Sequence, residues 1–128
     1  MSFAADITWR LQNLHLQAEL VATQVRFDDD ARVRAGDLTT PDHLKWGFYV
    51  LLAYELPFWN LQPYYLVERT DFGHQRYPDF TEYWAMTGGL RVRFLPNVVL
   101  KLQYQYGDLQ SEVLGTTGLV QAQLALAF

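Results

Sequence analysis

The chain has 128 residues and a formal charge of −4; half of it is apolar, 16% aromatic and only 19% charged. A disordered chain would reverse that balance, and scattered Lys and Arg on a net negative chain leave no basic footprint for nucleic acid. No cysteine is present, which excludes disulfides, thiolate metal sites and cysteine nucleophiles together.

The dominant pattern is alternation with period two, the signature of strands with two unlike faces. In the first run Phe3, Ala5, Ile7, Trp9 and Leu11 share one face, against Ser2, Ala4, Asp6, Thr8, Arg10 and Gln12. After Gln12-Asn13, Leu14, Leu16, Ala18, Leu20 and Ala22 oppose His15, Gln17, Glu19, Val21 and Thr23. The third run sets Leu44, Trp46, Phe48, Val50, Leu52, Tyr54 and Leu56 against Lys45, Gly47, Tyr49, Leu51, Ala53 and Glu55. A fourth, from Leu61 to Thr70, turns Leu61, Pro63, Tyr65 and Val67 outward and Gln62, Tyr64, Leu66 and Glu68 inward. Pro63 cannot donate to a ladder and is expected among the first residues of its strand.

The fifth run sets Trp84, Met86, Gly88, Leu90, Val92 and Phe94 against Ala85, Thr87, Gly89, Arg91 and Arg93. The sixth sets Val98, Leu100, Leu102, Tyr104 and Tyr106 against Val99, Lys101, Gln103 and Gln105. The seventh sets Val120, Ala122, Leu124, Leu126 and Phe128 against Leu119, Gln121, Gln123, Ala125 and Ala127. No stretch carries a helical period with caps. Gln12-Asn13, Pro57-Phe58-Trp59-Asn60 and Leu95-Pro96-Asn97 read as tight turns, and residues 28–42, 71–80 and 109–117 as long polar loops. Short turns at one end and long loops at the other is how outer-membrane barrels are built, with the short turns periplasmic.

The longest apolar run is Phe48 to Tyr54, far from the ~18 residues of a membrane helix. A mean hydropathy of −0.10 is ordinary for a soluble chain, but equally for a membrane barrel, where only alternate residues meet lipid. The faces favour the barrel. The polar face carries Gln, Thr, Gly, Ala and Tyr with an occasional ion, which suits a watery lumen better than bulk solvent. The apolar face places Trp9, Trp46, Tyr54, Trp84, Phe94, Tyr104, Tyr106 and Phe128 near strand ends, as in the girdles at membrane interfaces. The expected fold is therefore all-β, an antiparallel up-and-down transmembrane β-barrel of about seven strands here, covering residues 1–128 as one barrel domain or a C-terminal barrel segment.

With periplasmic turns, the first and seventh strands both descend, so Met1 sits at the extracellular end and Phe128 at the periplasmic end. Barrels normally have an even strand number, and these two strands would close in parallel. The chain therefore reads as part of a larger barrel or one subunit of a multi-chain one, since an uncovered edge in lipid is costly. Residues 1–6 lack a charged n-region and an apolar h-region, so the sequence reads as cytosolic, already processed, or a piece of something longer.

The segments KWGFYVLLAYELPF and LQPYYLVERTDF resemble the late strands of bacterial outer-membrane porins, especially the phosphate-selective porin superfamily. GGLRVRFLPNVVLKLQYQYG resembles their penultimate hairpin, and the ending QAQLALAF their C-terminal assembly signal closed by Phe128. The resemblance implies the C-terminal portion of a porin barrel in the bacterial outer membrane. It carries over architecture rather than substrate, because the basic ladder of that superfamily has no residue-by-residue counterpart here.

The candidate pore-lining residues are Arg10, Glu19, Lys45, Glu55, Glu68, Arg91, Arg93 and Lys101. Arg91, Arg93 and Lys101 fall on adjoining strands as a basic patch, with Arg10 and Lys45 elsewhere and Asp6, Glu19, Glu55 and Glu68 opposing them. Such charges bias passage through a pore by their field; the plain alternative is cross-strand pairing that only stabilises the wall. Asp28, Asp29 and Asp30 lack the spacing of a calcium loop and read as a solvated loop. His15, His43 and His74 have no metal-ligand spacing, and Ser2 and Ser111 have no spacing that supports a triad with those histidines and Asp42, Asp71 or Asp79. Gly88-Gly89 reads as a kink or a place for an aromatic neighbour to lie flat, since no helix follows to make a phosphate cradle.

These readings converge on an outer-membrane barrel that forms, or lends strands to, a water-filled pore for passive diffusion of small hydrophilic solutes. It is expected to be no enzyme and to need no cofactor or metal. Its expected partners are outer-membrane lipid and further barrel strands, from the same or another chain, with a homo-oligomer as one form. Two alternatives stay open: a non-transporting outer-membrane scaffold that encloses or anchors a partner, and a soluble β-barrel carrier of apolar ligands.

Overall fold

The computed structural model describes residues 1–26, 42–73, 82–109 and 115–126. They form seven strands: β1 (Ser2–Leu11), β2 (Leu14–Val25), β3 (His43–Tyr54), β4 (Leu61–Asp71), β5 (Glu82–Leu95), β6 (Val98–Leu109) and β7 (Thr116–Leu126). All lie in one antiparallel sheet in chain order, so each strand pairs only with its neighbours in sequence. The sheet is open: β1 and β7 are its edges and do not pair with each other. They run in the same direction, so closing the sheet on itself would set a parallel pair against six antiparallel ones.

The register carries the alternation intact across the sheet. One row runs Ala18, Val50, Val67, Met86 and Tyr106, and the next Leu16, Leu52, Tyr65, Gly88, Tyr104 and Val120. On the opposite face one row runs Gln17, Leu51, Leu66, Thr87, Gln105 and Leu119. A one-residue slip anywhere would mix the two sets, so this pattern holds the register.

The connections between β1 and β2 and between β5 and β6 are two-residue turns, Gln12-Asn13 and Pro96-Asn97. Gln12 takes a positive φ of 51°, as do Trp59 (62°) and Asn60 (48°) in the longer connection to β4. Phe94 is the extra residue of a β-bulge, because Arg93 faces Val99 while Leu95 already faces Val98. Pro63 sits at the third position of β4, ahead of the Ala53–Tyr64 pair that begins its pairing with β3; there β4 has only β5 beside it. The third strand stops at Tyr54, two residues short of the apolar run, and the strands extend into segments that read as loops: Asp71, Leu109, Thr116 and Thr117 are in strands. The seventh strand begins at Thr116 rather than near Leu119, because Thr116 and Thr117 continue the pairing with Asp108 and Gly107.

The described residues form no layered core. Their buried members are small, Ala53, Ala85, Thr87 and Gly107, and no large side chain among them is fully buried. All four lie on the polar face. That face is the hollow one: a single depression along it touches side chains from Arg10 on β1 to Lys101 on β6. Its side chains also meet over an intervening strand, as Tyr64 on β4 does with Gln103 on β6. Adjacent strands lie ~4.8 Å apart, so convergence of alternate strands accompanies inward curvature. The apolar face is the outer one and is uncovered, with Phe3 and Ile7 each 61% exposed and Val120 78%.

Candidate functional site

The candidate site is the hollow polar face, built by the odd-even alternation that turns every second side chain toward it. Toward the loop ends it holds a hydrogen-bonded cluster. The Tyr83 hydroxyl donates to Glu68 Oε1 at 3.4 Å, while Gln105 Nε2 donates to the Tyr83 oxygen at 3.0 Å and to Glu68 Oε1 at 3.3 Å. Gly107 leaves room for the Tyr83 ring, whose nearest atoms would lie 3.3 Å from a Cβ there. Nearer the first strands Gln17 Nε2 donates to the Tyr49 hydroxyl at 2.8 Å.

A second chain crosses the sheet. The Tyr64 hydroxyl donates to Gln103 Oε1 at 2.6 Å, and Gln103 Nε2 donates to Gln121 Oε1, linking β4 to β7. The Tyr64 ring passes over β5 at Gly89, where a Cβ would overlap it. Gly89 is therefore the place where an aromatic neighbour lies flat, whereas a Cβ at Gly88 would meet nothing within 4 Å.

Toward the short turns the same face becomes basic. Arg10, Arg91, Arg93 and Lys101 border one hollow with His15 and a single carboxylate, Glu55. Arg91 Nη1 donates to Gln62 Oε1 at 3.5 Å, and the Lys101 ammonium lies 5.1 Å from the centre of the Tyr64 ring. Among the described residues the side chains of Arg10 and Arg93 have no hydrogen-bond or ion-pair partner, and neither does the buried His15 Nε2.

Of the sequence candidates, Arg10, Glu19, Lys45, Glu68, Arg91, Arg93 and Lys101 all fall on this face. Glu55 lies past the end of β3, its amide donating to the Asn13 carbonyl at 2.8 Å, and borders the same hollow. Two placements differ from expectation. Arg10 does not stand apart but shares the hollow with Arg91, Arg93 and Lys101, because curvature brings the far strands together. Nor do these charges pair across strands: among the described residues none of the eight forms an ion pair with another. The sequence reading missed the tyrosine–glutamine cluster, whose one legible sign was tyrosine alternating inward opposite glycine.

On the outer face, Trp9, Tyr54 and Phe94 lie toward the turn ends of their strands and Trp46, Trp84 and Tyr106 toward the loop ends. Tyr104 departs from the expected girdle: it lies mid-strand, its hydroxyl 2.7 Å from where a Cβ of Gly118 would be. It covers a glycine instead of marking an end. On β5, Trp84 and Phe94 bracket Met86, Gly88, Leu90 and Val92, a span of ~34 Å along the strand at ~3.4 Å per residue. Above it the face turns polar. Arg69 Nε pairs with Glu82 Oε1 at 2.5 Å, and the guanidinium lies 5.4 Å from the Trp46 ring centre. Trp84 stacks obliquely on Tyr106 with ring centres 5.8 Å apart. Of the ion pair only Arg69 falls within the fourth run of the sequence; Glu82 opens β5.

Asp28, Asp29, Asp30, His74, Asp79, Ser111 and Phe128 lie outside the described residues. Ser2 accepts a hydrogen bond from the Thr23 hydroxyl at 3.2 Å, and among the described residues no group of three or more His, Asp or Glu is placed to hold a metal ion. Among the described residues no helix is long and apolar enough to cross a membrane, which leaves crossing by strands open. Comparison with protein-family models, with curated proteins and with solved structures finds no match.

Proposed function

We propose that this chain is part of the wall of an outer-membrane β-barrel through which small hydrophilic solutes diffuse passively. In this reading the outer apolar face meets lipid and the hollow polar face meets water; there is no reaction and no cofactor. The observation that carries it is a seven-stranded sheet with no large side chain fully buried among the described residues. A sheet in water must cover its apolar face with another layer; here that face stays open, and lipid is the solvent that needs no such layer. At the ~40° tilt of barrel strands the ~34 Å belt of β5 would stand ~26 Å tall, close to the ~25 Å apolar band of outer-membrane barrels, and Trp9, Trp46, Tyr54 and Trp84 lie near strand ends, as girdle aromatics do. The edges at β1 and β7 call for further strands, since unpaired N–H and C=O groups in hydrocarbon cost several kcal/mol each.

The test is reconstitution of the purified chain into a planar bilayer. Stepwise conductance is expected. Folded protein inserted in the bilayer with no conductance would favour the enclosing scaffold. Full solubility as a monomer in water would favour a carrier.

A further inference from the structure

We propose that the wall is electrically polarised from end to end, so that the pore conducts asymmetrically and admits multivalent anions from its short-turn mouth only. The inference rests on the pore reading and adds a direction to it. On the hollow face Arg10 stands one residue from the turn end of its strand, Arg93 two, Lys101 three and Arg91 four. Three carboxylates stand farther in, Asp6 and Glu19 five residues from that end and Glu68 seven, while Glu55 lies at the turn end itself. Lys45, two residues from the loop end of β3, is the one described cation of this face on the far side of them.

The cations converge instead of lying along a line. One hollow gathers Arg10 from β1 with Arg91, Arg93 and Lys101 from β5 and β6, against Glu55 alone. The lack of ion pairing leaves their field uncancelled locally. The two charge zones lie about three residues apart on average, ~10 Å along a strand. That matches the Debye length of ~10 Å at 0.1 M salt and exceeds the ~3 Å at 1 M. At low salt each zone therefore sets its own ion population, and a low-dielectric wall focuses the field into the lumen. Anions accumulate at one mouth and cations deeper in, so current driven one way enriches the lumen in carriers and current driven the other way depletes it.

Single channels in a planar bilayer test this. At ~0.1 M salt the currents at equal and opposite voltages are expected to differ about two-fold, converging toward equality at ~1 M. Inorganic tripolyphosphate should block from one chamber and not from the other. The double variant Arg93→Gln, Lys101→Gln should lose both the asymmetry and the one-sided block. The wild-type salt dependence and sidedness stand as a test even if that variant does not fold. Channels with equal currents in both directions, or blocked equally from both sides, overturn the polarised wall and leave the pore reading in place. Asymmetry that survives in the folded double variant overturns its assignment to the turn-end cations. An inserted protein with no channels overturns the pore reading and this inference with it.

Discussion

Val50→Arg is expected to lower the stability of the protein in lipid vesicles by about 2–4 kcal/mol, whereas Leu51→Arg, one residue along, should cost under about 1 kcal/mol. Val50 lies on the outer face between Ala18 and Val67, midway along β3 between Trp46 and Tyr54. It is 37% exposed in the isolated sheet, so an arginine there displaces no packed core. In water the exchange would fall among ordinary surface substitutions, within about 0.5 kcal/mol. In a bilayer it places a charge near the midplane, and the cost follows from dehydration of the guanidinium. Leu51 points to the opposite face, between Gln17 and Leu66, where water would receive the charge. Urea unfolding of the two variants in vesicles reads the difference directly. Equal costs at the two positions would mean that the two faces do not differ in solvent.

The second large effect is a reversal of sign. Gly89→Ala is expected to destabilise by about 2 kcal/mol, because its methyl group would occupy the space of the Tyr64 ring and push a packed side chain aside. In a Tyr64→Ala background the same exchange should become neutral or stabilising by about 0.5–1 kcal/mol, since glycine within a strand carries an entropic cost relative to alanine. Gly88→Ala supplies the internal comparison: its Cβ would stand in open space, so a small gain is expected with Tyr64 present. Tyr64 also ties β4 to β6 through Gln103, so displacing its ring breaks the cross-sheet chain as well. A double-mutant cycle on 64 and 89 measures the coupling. Equal cost of Gly89→Ala in both backgrounds would contradict the packing described for this pair.

The alternation made the strands and their faces legible. Leu61, Pro63, Tyr65 and Val67 turn to the outer face with Trp46 and Trp84, and Gln62, Tyr64 and Glu68 to the inner one with Arg91, as the residue types alone require. Strand ends were less legible, because Thr116 and Thr117 are polar residues of a kind that suits loops and strands alike, and pairing with β6 decides. The convergence of Arg10 with Arg91, Arg93 and Lys101 was out of reach, since it depends on curvature summed over six strands. Arg69 and Glu82 interrupt the period with charges on the apolar side; their pairing beside Trp46 depends on the β4–β5 register. Tyr104 read as a girdle residue because aromatic type was visible and its depth along the strand was not.

In the proposed reading lipid covers the outer face of this sheet. The most direct test of that reading is refolding the chain with and without detergent, following β-structure by circular dichroism and particle mass by light scattering. A β-rich, monodisperse particle is expected only in detergent, with aggregation in buffer alone as exposed Phe3, Ile7, Leu52 and Val120 associate. The protein mass in that particle then gives the number of chains that close the wall. A monodisperse, β-rich monomer in buffer without detergent would contradict the account, because the apolar face would then have to turn inward.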